Sequence, residues 1–308
     1  MGEKTIIGVF CYKRAAKLKA SIEALLKNPE CAQMDIIFFC DGHKGEKDLP
    51  GVLATREYIN SLTGFRNIHK HFRERNVSTG PNFFAGINFL RENYDRFIVV
   101  EDDLVVTPNY VRYMLDALDF YNDEKSIFCI SGFAFPLQKK GYQYDTIIHG
   151  RFCSYGWASW SDRVRKVIWD KEELQELLTT SPGFKSQLNK QGFDLHRLLK
   201  KQLSGAISTW DIQMQVNVAR HGLKVVYPVL SKAHNIGFDN ESTNTFGLDY
   251  LKTTTDPGDK RSFNFCPVDL IEPFLQKQLK KPYGLQALAT RKIINTFIKL
   301  TAQLKGSS

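Results

Sequence analysis

Long apolar runs are missing from this chain. Its longest, such as Phe97 to Val100 and Val225 to Val229, fall far short of the roughly 20 residues that cross a bilayer, so a membrane-spanning helix is not expected. The start runs from Met1-Gly2-Glu3-Lys4-Thr5 straight into Ile6 to Cys11. It lacks the basic segment, apolar core and small-residue cleavage site of a secretory leader. Cysteine is sparse and dispersed: Cys11, Cys31, Cys40, Cys129, Cys153 and Cys266 include no pair at the spacing of a zinc knuckle or a redox motif. Several of them sit in apolar strand-like runs, where a thiol packs as a small hydrophobe. A reduced, cytoplasmic setting is therefore expected. Internal repeats and low-complexity stretches are also lacking.

What is present suits a globular protein. The 308 residues, 43% of them hydrophobic, suffice for one large domain or two closely fused halves. A net charge of +9 suits nucleic acid, an anionic membrane or phosphorylated substrates, and only its distribution discriminates among them.

Ile6 to Phe10 reads as a buried strand. Ala15 to Lys27 reads as an amphipathic helix with Leu18, Ile22, Leu25 and Leu26 on one face. A second strand, Asp35 to Cys40, stops at the turn signal Asp41-Gly42, and Leu53 to Leu62 recovers helical spacing. Phe83 to Leu90 looks helical, Phe97 to Val100 is a third buried strand, and Pro108 to Tyr121 is a helix with proline near its first turn. This β-α-β-α order implies an α/β fold with a mostly parallel central sheet covered on both faces. Beyond the strand Ile127 to Ile130, the aromatic and glycine-bearing stretches Gly132 to Phe135 and Phe152 to Trp160 read as loop-built surface. A polar helical stretch follows from Lys171 to Leu203, broken at Ser181-Pro182-Gly183, then a helix at Trp210 to His221 and a strand at Lys224 to Pro228. The tail from Lys277 is basic, with Ile293, Ile294, Phe297, Ile298, Leu300 and Leu304 forming an apolar stripe among Arg291, Lys292, Lys299 and Lys305. An interfacial membrane helix has that pattern.

Ligands of such sheets bind beyond the carboxyl ends of the strands, and here those ends carry the polar residues. Strand one runs out into Tyr12-Lys13-Arg14, strand two into Asp41-Gly42-His43, and strand three into Glu101-Asp102-Asp103. Three acids at the end of a buried strand are costly unless neutralised. A divalent cation, Mn2+ or Mg2+, held by carboxylate and substrate phosphates would neutralise them. An acidic loop or a cap for the helix after Pro108 remains the other reading.

The strand, the triplet and the following Leu104-Val105-Val106-Thr107-Pro108-Asn109-Tyr110 resemble the metal-binding segment of N-acetylglucosaminyltransferase I and related bacterial glycosyltransferases, from Ile6 to about Asn244. The resemblance implies a GT-A fold with a nucleotide-sugar half at 1–125, an acceptor half of the same domain at 126–265, and a basic amphipathic tail at 266–308. It implies that Asp103 ligates the metal, that Glu101 and Asp102 hold the ribose or metal-bound water, that Arg14 grips the nucleotide and that Asp41 recognises uracil. Taken alone, Arg14 reads equally as a solvated helix-start residue and Asp41 as a turn former. The segment Arg75 to Asn82 suits a donor-contacting loop, with Asn76, Asn82 and Asn88 as candidates only, since the family's histidine in the next helix is not evident here.

Gly156-Trp157-Ala158-Ser159-Trp160 resembles the Gly-Trp-Ala-Thr-Trp element of bacterial sugar transferases. It implies a sugar-stacking role for Trp157 and close donor approach at Gly156, against ordinary core packing of both tryptophans. Thr209-Trp210-Asp211 matches the position of the family's general base, which implies Asp211 and inversion, against helix N-capping. This chain continues with Ile212-Gln213, where the family has further acidic or aromatic residues. The stretch from His234 to Asn244 resembles the family's Ser-Asn-Ile-Gly-Phe-Gly loop, with His234 a contact for diphosphate or metal, against a structural histidine.

The expected function is transfer of a sugar, N-acetylglucosamine being the one the resemblance suggests, from a UDP-sugar to a glycan or lipid-linked glycan in bacterial surface polysaccharide synthesis. The protein would be cytoplasmic, with the tail at the anionic inner face of the membrane. A nucleotidyltransferase would carry a glycine-rich phosphate loop at the start, and Gly8 to Arg14 has one glycine. A nucleic-acid-binding module would interleave Lys and Arg with exposed aromatics over one face, whereas much of the charge excess here sits in the tail. No nucleic-acid partner is expected.

Overall fold

The computed structural model describes residues 4–237 and 253–305, with side chains described as far as residue 296. In chain order the elements begin β1 (Thr5–Cys11), α1 (Ala15–Leu25), β2 (Asp35–Cys40), α2 (Leu49–Ser61), β3 (Asn67–Phe72), α3 (Thr79–Asn93), β4 (Arg96–Glu101), β5 (Leu104–Val106) and α4 (Tyr110–Phe120). They continue with β6 (Ile127–Ser131), β7 (Thr146–His149), β8 (Trp157–Trp160), α5 (Ser161–Val164), α6 (Lys171–Thr180), α7 (Phe184–Asn189), α8 (Leu195–Leu203) and α9 (Asp211–Arg220). The last are β9 (Lys224–Pro228), β10 (Ala233–Asn235), α10 (Pro273–Lys280) and α11 (Leu285–Lys305).

Eight strands form one sheet in the order β3-β2-β1-β4-β8-β6-β9-β7. β1 pairs parallel with β2 and β4, β2 with β3, and β6 with β9, while β8 and β7 are antiparallel to their neighbours. The sheet is thus mostly parallel, as the alternation of elements predicts, and both stretches expected as separate halves contribute strands to it. Alternating side chains divide between two cores. Ile7, Val9 and Cys11 of β1 face one with α1 and α4, while Ile6 and Phe10 face the other with α3, α9 and α10. A third apolar cluster joins α6, α7, α8 and α9 through Leu174, Phe184, Leu199 and Val216.

Two readings need correction. Trp157–Trp160 is not loop surface: it is β8, inserted antiparallel between β4 and β6 in mid-sheet and buried along its whole length. A four-residue strand buried on both faces has no polar alternation to reveal it. The tail expected from residue 266 is packed at its start, where Cys266 is buried against β7 and the Leu275 and Leu279 face of α10 enters the core. β3 is not announced by the sequence, because its Asn-Ile-His-Lys-His-Phe lies at a sheet edge and lacks the apolar run of an interior strand. Among the described residues no helix is long and apolar enough to cross a membrane.

Candidate active site

Parallel registry brings the strand exits together. Phe10 sits beside Glu101 across β1 and β4, the Asp102 amide donates to the Phe10 carbonyl at 3.1 Å, and the Asp41 amide donates to the Cys11 carbonyl at 3.1 Å. Asp41 and Asp102 therefore flank the exit of β1, which leads into Arg14 at the start of α1. Directly after the acids, β5 turns back and pairs antiparallel with β10, placing His234 opposite Val105 and Asn235 opposite Leu104.

Arg14 is the cation of this cluster. Its Nε donates to Asp102 Oδ2 at 3.3 Å, its Nη2 pairs with Asp102 Oδ1, and the same Nη2 lies 3.0 Å from Asp103 Oδ2. Burial opposes the guanidinium charge, but Asp102 and Asp103 hold it firmly protonated, above its ordinary pKa. One cation does not balance the acids. Burial, reinforced by Asp103, Asp102 and Asp211, pushes the Glu101 carboxyl well above the usual carboxylate range. Burial likewise lifts Asp102, with Arg14 pulling the other way. Among the described residues the acids of the triplet outnumber the cation paired with them.

Two cavities meet here. One, of about 510 Å3, is lined by the β1 exit from Phe10 to Arg14 and by Asp41, Lys44, Asn76, Asn82, Glu101 and Asp102. The other, of about 390 Å3, is lined by Arg14, Glu101, Asp103, Asp211, Arg151 and Asn235, with an apolar wall that includes Phe152, Tyr155, Leu195, Leu198 and Ile207. Arg14, Thr79 and Glu101 border both, so the acids stand where two chambers of one cleft join. The positive N-terminal ends of α3, at Thr79, and of α9, at Asp211, also face this cleft, a favourable arrangement for an anionic ligand.

The cleft thus gathers Arg14, Asp41, Asn82, Glu101, Asp102, Asp103 and Asp211. Asp211 is the first helical residue of α9, and the capping position is Trp210, which makes no side-chain cap. The carboxylate instead accepts from the Thr209 hydroxyl and stays exposed in the cavity. Asp41 accepts from the amides of Gly42 at 2.9 Å and Val77 at 3.0 Å and from Asn76 at 3.0 Å, while burial raises its pKa. Asn82 lines the first chamber, but its amide is committed to the fold: Oδ1 accepts from Arg73 at 2.6 Å and Nδ2 donates to the Phe39 carbonyl at 3.2 Å.

Three expected donor contacts lie elsewhere. Trp157 is fully buried, edge-on to Phe97 and Phe152 and stacked near Trp210, and it lines neither chamber. A sugar ring cannot reach it. Gly156 is required for a different reason from donor approach: its φ is +65°, and a Cβ there would stand 2.8 Å from the Tyr110 hydroxyl. His234 is exposed and outside both chambers, whereas the next residue of the same strand, Asn235, turns inward. Its Nδ2 donates to Asp103 Oδ1 at 3.4 Å, and its Oδ1 accepts from the Gly237 amide at 2.6 Å. Gly237 itself abuts Asp103, since a Cβ there would meet Oδ2 at 2.2 Å. Period-two alternation along β10 separates His234 from Asn235, a one-residue distinction that the sequence leaves open. Arg151, paired bidentately with Asp194 at 2.9 and 2.7 Å, was also missed. The remainder of the expected closing loop, residues 238–244, lies outside the described residues.

The donor set limits how a metal could bind. Among the described residues no three His, Cys, Asp or Glu side chains cluster as ligands. A hard cation that takes one carboxylate and completes its shell with substrate phosphates and water fits this arrangement, with Asp103 as that carboxylate. In comparisons with known proteins, no family model and no curated protein matches the chain.

Proposed function

We propose that the protein is an inverting GT-A glycosyltransferase that moves a sugar from a UDP-sugar to a glycan hydroxyl. The observation that carries this reading is the joined cleft: two chambers of ligand size share Glu101 and Arg14, and the second is lined by both Asp103 and Asp211. The chamber at the β1 exit would take the nucleotide, with Asp41 at the base and Lys13, Arg14 and Lys44 toward the phosphates. The second would take the donor sugar and the acceptor. N-acetylglucosamine as the donor sugar, and a lipid-linked glycan as the acceptor in bacterial surface polysaccharide synthesis, belong to this proposal.

The chemistry divides among the residues as follows. Asp211 accepts the proton of the acceptor hydroxyl, whose oxygen forms a bond to the anomeric carbon from the face opposite the nucleotide. The bond from that carbon to the diphosphate oxygen breaks, and the electron pair leaves with UDP, so the configuration inverts. Arg14, which pairs with Asp102 and Asp103, would turn toward the departing diphosphate. Mn2+ or Mg2+ held by Asp103 and the diphosphate would act as a Lewis acid on the leaving group. Burial is the first cause of the raised Glu101 pKa, and the repulsion by Asp103, Asp102 and Asp211 that adds to it is of the kind a bound cation offsets.

The test is a screen of nucleotide sugars for hydrolysis with and without manganese, followed by product analysis with glycan acceptors. Metal-stimulated hydrolysis of UDP-sugars over other nucleotide sugars is expected. Turnover of a nucleotide triphosphate and sugar phosphate instead would assign a nucleotidyltransferase, and inertness toward every donor would remove the enzymatic reading.

A further inference from the structure

The charge of this protein is concentrated at one place. Residues 273–308 carry seven Lys or Arg and no Asp or Glu, which leaves +2 of the net +9 for all the residues before them. Exposed large apolar side chains gather in the same segment: Phe274 is 40% exposed, Leu285 66% and Ile293 70%, three of the eight such residues in the described protein, and a fourth, Ile271 at 72%, stands two residues before it.

The segment presents these groups in helical register. On α10, Leu275 and Leu279 are buried while Phe274, Lys277 and Lys281 share the outer side, and Lys140 lies 4.2 Å over the Phe274 ring. On α11, Leu285, Ala289, Lys292 and Ile293 recur at helical spacing and are all exposed. Between the two helices runs a groove of about 730 Å3 whose lining includes Phe274, Lys277, Lys281, Ala287 and Ile294. The first part of this surface is fixed to the body. Gln276 donates to the Ile148 carbonyl at 2.7 Å, and the Tyr283 ring lies 3.4 Å from the Arg151 guanidinium, which borders the second chamber of the cleft.

We infer that α10 and the described face of α11 form a docking surface for an anionic lipid bilayer. Lysine heads around exposed Leu, Ile and Phe match a negative headgroup layer over an apolar interior, the two components of interfacial binding. An interface with another protein would not call for charge of one sign only. A nucleic-acid surface would not call for exposed aliphatic side chains at its centre. The inference is independent of the glycosyltransferase reading, since none of the side chains assigned to the bilayer lines the cleft.

Sedimentation of the full chain with vesicles decides it. Binding is expected to phosphatidylcholine vesicles containing phosphatidylglycerol and not to phosphatidylcholine alone, and salt should weaken it. Each exposed lysine in contact contributes about fivefold, so Lys277→Gln/Lys281→Gln/Lys292→Gln together should weaken partition about a hundredfold. The thermal transition should be unchanged, because all three side chains are exposed. Leu285→Ser/Ile293→Ser should also weaken binding while the lysines remain. Equal binding to both vesicle types, no binding to either, or full binding by the triple variant would overturn the inference. So would retention of RNA or DNA that the triple variant abolishes in the absence of vesicle binding.

Discussion

The two chambers of the cleft are built in different ways. The first chamber rests on the exits of β1, β2 and β4, parallel strands whose register fixes Arg14, Asp41 and the acid triplet relative to one another. The second chamber is assembled from the start of α9, the β7–β8 connection, α8 and Asn235 of β10, pieces far apart in the chain. The first is a property of local order along the sequence, and the second depends on long-range packing. If Asp211 belongs to catalysis and the strand exits to donor binding, damage to one chamber should leave the other working.

The largest expected separation is at Asp211. Asp211→Asn should lower kcat about a thousandfold, as removal of a general base does, and leave UDP affinity unchanged; parallel loss of UDP affinity would break the division between chambers. Next comes Trp157, which packs as core behind Phe152 and Trp210 of the second chamber. Trp157→Ala should cost about 4 kcal/mol of stability, while Trp157→Phe should leave the donor KM unchanged. A KM effect of Trp157→Phe without loss of stability would restore the sugar-stacking role.

A smaller effect concerns how the C-terminal segment is held to the second half. His149 is buried, and Gln276, whose Nε2 donates to the Ile148 carbonyl, accepts from its Nδ1 at 3.0 Å. Burial lowers the His149 pKa from 6.5 to about 4. Because the folded pKa is depressed, the unfolded chain binds this proton first, and stability falls as pH drops from about 6.5 toward 4. The loss should reach about 3 kcal/mol. Urea unfolding from pH 7 to pH 4 should show that loss in the natural chain and a flatter profile in His149→Gln; equal slopes would remove His149 as the cause.

How much of this was legible follows from the same contrast. Buried parallel strands read clearly because Ile6 to Phe10, Asp35 to Cys40 and Phe97 to Val100 are apolar runs that end abruptly in polar residues. Their exits, and hence Arg14, Asp41 and the triplet, could be placed from sequence. Trp157 misled because aromatic residues beside glycine suit a sugar platform and a strand core alike, and only the pairing of β8 with β4 and β6 decides. Asn235 was missed in favour of His234 because the pattern around β10 does not reveal which side of a three-residue strand faces the acids. Asn82 lines the first chamber, but its partners Arg73 and Phe39 belong to neighbouring elements that its own segment does not disclose.

The most direct test of the central claim, that the acid triplet holds a cation only together with the donor diphosphate, is titration calorimetry of UDP with and without manganese for the natural chain and Asp103→Asn. The account predicts that manganese strengthens UDP binding to the natural chain and that Asp103→Asn loses this enhancement while remaining folded. Equal manganese enhancement in both proteins, or no UDP binding by either, would contradict it.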